Sequence, residues 1–244
     1  MSNFTLKIIA LSAMVVDHVG HVFIFSALRY IGRIAFPLYA FLIGEGCRHT
    51  SNIKKYLSRL FVFAIISEIP FDLLRSTRRG IPIREFSDII DMSAQNVFFT
   101  LFLGALSIAV YLHVKKTAGE GLALIIGLFA AFICAYAAAF IRSDYGFAGV
   151  LIIALPAIAA EAFPLKKWRK LVNIAVMAFC LTLIYDINMQ FGFLLASFAS
   201  LTFILIYNGK KGRPIKWAFY LAYPVHMVML FLIWFHLRHI NPLF

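Results

Sequence analysis

Residues Leu6 to His21 read LKIIALSAMVVDHVGH, an almost unbroken apolar run with a lysine at one end and Asp17, His18 and His21 at the other. Imidazole titrates near neutrality, so a histidine is the side chain best suited to take a proton from an attacking amine or hydroxyl. A charged group near a bilayer centre costs about 2.5 to 3.5 kcal/mol on insertion scales, so polar residues in such a run face a protein interior or a wet cavity. Lys7 and His18 are eleven positions apart, almost a whole number of helical turns, and project from one face about 16 Å apart. His21 shares that stripe. Asp17 is turned about 100° away and reaches His21 more readily than His18. A cation at one end of a face and an imidazole deep along it suit a long ligand with an anionic head and a reactive tail. An acyl-coenzyme A has that shape.

Other polar residues interrupt apolar stretches further on: Glu45, Glu68 with Asp72, and His226 in the FYLAYPVHMVML run. Hydrogen bonding between helices would explain any one of them. The whole set, with Asp17, His18 and His21, points to a polar intramembrane cavity. The stretch RHTSNIKKYLSRL, beginning at Arg48, supplies Arg48, Lys54, Lys55 and Arg59. Lys55 and Arg59 are four apart on a helix and can converge on one phosphate. Topological retention of positive charge on the cytoplasmic side is the alternative reading of the same residues.

The elements that must hold these groups are helices. Of 244 residues 62% are hydrophobic and 14% charged, with mean hydropathy +0.88, a composition outside the soluble range. A bilayer core of about 30 Å takes about 20 helical residues. Nine apolar segments are expected to cross it, at about 4–24, 30–46, 56–74, 96–113, 121–141, 146–163, 168–185, 190–207 and 217–236. The expected fold is therefore all-α: one polytopic helical membrane domain over 1–244, with about nine transmembrane helices around a polar cavity.

The net charge of +12 does not signal nucleic acid, because the basic residues lie between spans and form no aromatic-interleaved patch. Alternate loops carry thirteen Lys and Arg on one side against eight on the other, which predicts a cytoplasmic N-terminus. The mixed-charge stretch at about 75–95 holds Arg75, Arg78, Arg79 and Arg84 with Glu85, Asp88 and Asp91, and is expected as a solvated outer loop, a folded lid being the alternative. Cys47, Cys134 and Cys180 have neither disulfide nor metal-ligand spacing. A cleaved signal peptide is not expected, because Asp17, His18 and His21 would interrupt its apolar region. No internal repeat of the kind that marks many transporters is visible.

The segments RIAFPLYAFLIGEGCRHTSNIKKYLSRLFVFAIISEIPFDLL, NVFFTLFLGAL, DYGFAGVL, YNGKKG and FYLAYPVHMVML, taken with the opening run, resemble the TraX family of bacterial membrane proteins in order along the chain. That family is associated with N-terminal acetylation of pilin and is similar to a wider group of membrane acyltransferases. In that group a first span carries Arg or Lys, ten residues, then His, as Lys7 and His18 do here. The group's arginine pair after the second span is matched by Lys55 and Arg59, where lysine gives a point charge in place of a planar fork.

The resemblance implies an inner-membrane acetyltransferase that draws acetyl-CoA from the cytoplasm. Its phosphates would be held by Lys7, Arg48, Lys54, Lys55 and Arg59, and its acceptor would be a pilin-like protein. His18 would act as general base or as a transiently acylated nucleophile. Glu45 or Glu68 would orient it, Asp17 and His21 would tune it, and His226 would line the same cavity. A glycan O-acetyltransferase and a non-enzymatic transporter or pilin chaperone are the other functions open to the sequence.

Overall fold

Prolines divide two of the expected spans. Pro37 and Pro70 lack an amide hydrogen, and the ring of each crowds the carbonyl four residues earlier, at Arg33 and Ile66. The computed structural model, which describes residues 1–79, 90–184, 191–213 and 216–240, breaks its helices at those positions. Helix α1 (Asn3–Val22) is followed by α2 (Ser26–Gly32) and α3 (Ala35–His49), then by α4 (Ile53–Ile66) and α5 (Glu68–Arg79). The freed Arg33 carbonyl accepts a bond from Ser197 Oγ at 3.5 Å. The remaining helices are α6 (Val97–Ala118), α7 (Glu120–Phe140), α8 (Gly146–Ala162), α9 (Arg169–Ile184), α10 (Phe191–Ile206) and α11 (Lys216–Ile240). Among the described residues the architecture is all-helical, and the one pairing of extended backbone is an isolated bridge between Gln95 and Ser143.

Five stretches are long and apolar enough to cross a bilayer: Asn3–Val22, Ser26–His49, Val97–Ala118, Glu120–Phe140 and Trp217–Ile240. Helices α8 and α10 are apolar but only 17 and 16 residues long, α9 has 16 residues, and the third expected span is split at Ser67 into α4 and α5. Of the nine expected spans, four are thus single helices of bilayer length, and a fifth, Ser26–His49, reaches that length only across the break between α2 and α3. Large apolar side chains cover the outside. On α7 they include Ile125, Phe129, Tyr136 and Phe140, each more than 60% exposed. A surface so extensively apolar belongs against acyl chains, and the chain is a membrane protein.

Polar contacts gather at the two ends of the bundle. At one end Lys115 bonds Glu120 at 2.8 Å, Arg169 bonds Glu161 at 3.0 Å, and Lys170 reaches the carbonyls of Leu205 and Tyr207. At the other, the Gln95 amide donates to the Arg142 carbonyl at 3.1 Å, and the Thr100 and Ser143 hydroxyls meet at 2.9 Å. Residues 80–89 of the mixed-charge loop, Arg84, Glu85 and Asp88 among them, lie outside the described residues. Its flanks are tied down: Arg75 pairs with Asp91 at 2.8 Å and the Asp91 amide donates to Asp72 at 3.0 Å.

Candidate functional site

The first turn of α1 has amide hydrogens with no partner inside the helix. The loop after α10, within YNGKKG, supplies acceptors: the Asn3 and Phe4 amides donate to the carbonyls of Lys210 and Lys211 at 2.8 and 3.2 Å. To lie that close the loop turns through left-handed backbone at Gly209 (φ +78°) and Gly212 (φ +72°), a conformation that costs other residues about 1–2 kcal/mol. A Cβ on Gly212 would stand 2.7 Å from Phe4 Cβ. The clamp brings Lys211 and Arg213 beside Lys7.

These three cations and Arg59 of α4 line a cavity of about 520 Å³ that opens among α1, α3, α4, α6, α11 and this loop. The volume lies within the roughly 300–1,000 Å³ of ligand pockets. Tyr39, Leu42, Leu60, Phe98, Leu101 and Tyr220 make most of the wall apolar or aromatic, so the cavity is greasier than the sequence suggests, and its charge is concentrated at one end. Arg59 lies 5.8 Å from the Tyr56 ring centroid, and its buried Nε has no hydrogen-bond partner. Lys7 sits 5.4 Å over the Phe219 ring. Along α1 the wall runs from Asn3 to Met14, and at that deep end Tyr223 closes it.

His18 lies one turn beyond Met14, outside the cavity wall, with its ring 6.3 Å from that of Tyr223. Its Nδ1 is 2.6 Å from Nε2 of His226, and the two rings are within 4° of coplanar with centroids 4.9 Å apart. The other ring nitrogen of His226 is 2.7 Å from the carbonyl of Ala222. Tyr223 therefore separates the cavity from a pair of histidines on α1 and α11.

The acidic residues named from the sequence stand elsewhere. Asp17 does not turn to His21. Its two oxygens take Arg29 at 2.8 Å and Arg33 at 2.6 Å, on the segment that folds back over α1. Gly32 permits this: a Cβ there would lie 2.2 Å from Asp17 Oδ1. Glu45 belongs to the mouth end, paired with Arg48 at 2.6 Å and His49 at 3.5 Å, with Tyr207 beside it. Burial, helped by Glu45, pushes the Tyr207 phenol up to about 12, so it remains a neutral donor near pH 7. Glu68 bonds the backbone and side-chain nitrogens of Asn96. Neither glutamate contacts His18, the residue that either was expected to orient.

Among the expected phosphate-binding cations, Lys7 and Arg59 line the cavity; Arg48, Lys54 and Lys55 do not. Lys54 and Lys55 are exposed at the start of α4, where the Lys55 amide is capped by Asn52 at 2.9 Å. His21 and His226 are also absent from the cavity wall, and the His21 carbonyl accepts from Arg78 at 3.4 Å. Sequence reasoning missed Lys211 and Arg213 as site residues, counting them only toward topology. The available signal was the pair of glycines flanking two lysines in YNGKKG, which marks a turn pressed against another backbone.

A bundle of apolar helices enclosing a cation-mouthed cavity, with a half-buried histidine pair beyond it, defines the class: a polytopic helical membrane protein. The family model described as TraX protein matches residues 2–234, and the chain belongs to the TraX family. It is also 30% identical over 256 residues to the probable fimbrial assembly protein FimC, serogroup H1, of Dichelobacter nodosus, with 94% of each chain covered. No solved structure matches.

Proposed function

We propose that this protein is an acetyl-CoA-dependent acetyltransferase of the bacterial inner membrane that modifies the N-terminal amine of a pilin-like or fimbrial subunit. The observation that carries the reading is the cavity. Its cationic mouth and apolar shaft run along the Lys7–His18 face of α1 and end one turn short of His18. The buried Arg59 Nε without a partner supports an anionic ligand at the mouth, because an unpaired buried donor costs about 1–3 kcal/mol. Lys7, Arg59, Lys211 and Arg213 would hold the phosphates of the co-substrate, and its acyl arm would follow the aromatic wall toward Tyr223.

The reaction then proceeds between arm and acceptor. The acceptor nitrogen attacks the thioester carbon; a C–N bond forms and the C–S bond breaks. His18 takes the amine proton and returns it to the departing thiolate. The family membership and the fimbrial name of the relative support a pilin-type acceptor. The chain crosses the membrane nine times in this reading: α2 with α3 and α4 with α5 each form one broken pass, α8 crosses beside α3 and α6, α10 beside α3, and α9 against α8 and α10. The end holding the N-terminus, Lys115, Lys170 and Lys211 faces the cytoplasm, where acetyl-CoA is found.

The test is acetyl transfer by purified protein from labelled acetyl-CoA to a synthetic peptide bearing a pilin-type N-terminus. His18→Ala is expected to lower the rate by about 10²- to 10⁴-fold with normal expression and co-substrate binding. Wild-type turnover by purified His18→Ala protein would refute the assignment.

A further inference from the structure

We infer that His226 is a positioning residue that fixes His18 in its Nδ1–H tautomer, leaving His18 Nε2 as the nitrogen free to accept a proton. The inference rests on the proposed role of His18 and deepens it. The starting point is the Ala222 carbonyl, which can only accept a hydrogen bond, so His226 Nδ1, 2.7 Å away, carries a hydrogen. With His226 neutral, its Nε2 is then an acceptor. That nitrogen lies 2.6 Å from His18 Nδ1, which must donate. The neutral His18 ring has one hydrogen, now committed to Nδ1, and Nε2 is left with its lone pair.

The ring geometry agrees. Near-coplanar rings with centroids 4.9 Å apart are what two imidazoles give when they meet nitrogen to nitrogen in a common plane, the alignment a strong hydrogen bond prefers. In many catalytic sites a carboxylate holds the base histidine. Here the carboxylates that could serve are committed: Asp17 to Arg29 and Arg33, Glu45 to Arg48, and Glu68 to Asn96. A backbone carbonyl acting through a second imidazole replaces them, and it does so without placing a net charge in the apolar part of the bundle.

The experiment uses full-length protein in lipid nanodiscs with ring-¹⁵N histidine. His18 resonances are assigned by their loss in His18→Gln. Wild-type His18 is expected to show a protonated Nδ1 and an unprotonated Nε2, and His226→Ala is expected to shift that pattern toward Nε2–H. In parallel, thiol release from acetyl-CoA in the presence of a peptide with a free N-terminal amine should fall about 10²-fold in kcat in His226→Ala, with KM for acetyl-CoA unchanged. His226→Gln keeps an acceptor oxygen at the reach of Nε2 and should recover much of that loss. An unchanged His18 tautomer in His226→Ala, or a His226→Gln protein as inactive as His226→Ala, would overturn the inference. Absence of acetyl transfer by the wild-type protein would count against the proposed function; the tautomer measurement decides the assignment of His226 in either case.

Discussion

Asp17 adjoins His18 in the sequence, yet its carboxylate pairs with Arg29 and Arg33, which predicts a contribution to stability. Asp17→Asn separates the two roles. The substitution keeps the side chain's shape and removes the charge that faces Arg29 Nη1 at 2.8 Å and Arg33 Nη2 at 2.6 Å. The Asp17 and Arg33 side chains are only 13% and 12% exposed, whereas Arg29 is 31% exposed and partly screened. Removing one partner from a buried pair leaves an uncompensated charge and costs about 3–5 kcal/mol. With Arg29 able to turn to solvent, the lower end, about 3 kcal/mol, is expected. For a chain of this size that corresponds to a fall of roughly 6–12 °C in the unfolding midpoint, at 2–4 °C per kcal/mol. The assay is thermal unfolding of purified protein in a fixed detergent, alongside acetyl transfer per folded molecule at a temperature well below either midpoint. Arg29→Gln should cost about 1 kcal/mol, since its exposed partner bond resembles a surface pair. An unshifted midpoint with a hundredfold loss of turnover would refute this reasoning and return Asp17 to the chemistry.

Three further outcomes follow from the same geometry. Arg59→Ala should weaken acetyl-CoA affinity by about 10- to 100-fold, the worth of charge-assisted hydrogen bonds, whereas the Lys54→Ala, Lys55→Ala double variant should stay within about threefold; titration calorimetry at two salt concentrations reads both. Gly212→Ala should lower the unfolding midpoint, because it combines left-handed backbone with a 2.7 Å approach to Phe4, and should also loosen co-substrate binding by displacing Lys211 and Arg213. Cysteines introduced at Ser51 and Lys116 should resist an impermeant thiol reagent in intact cells, while one at Met92, 80% exposed at the opposite end, should react. The native Cys47, Cys134 and Cys180 are buried and contribute little background.

Much of the frame was legible in the residue order. Long apolar runs can form only helices in a bilayer, since every backbone polar group must be satisfied within its own segment. That reasoning located α1, α6, α7 and α11 to within a few residues, and helical periodicity placed Lys7 and His18 on one face. The helix breaks near Ser67 and Ile34 were available from Pro70 and Pro37, but the apolar continuity of the flanking residues masked them. YNGKKG was visible as a basic stretch between the spans expected at 190–207 and 217–236, and its role as a cap and cavity wall was not.

What residue order by itself determined was composition, helicity, the Lys7–His18 face and the family, because these depend on local spacing and on matches along the chain. The tertiary structure alone decided partners. Asp17 found Arg29 and Arg33 because α2 folds back where Gly32 leaves room, and His18 found His226, 208 positions away, because α1 packs against α11. Which charge meets which, and which ring nitrogen is left free, depends on atoms brought within 3 Å across helices. No periodicity along a single helix encodes that distance.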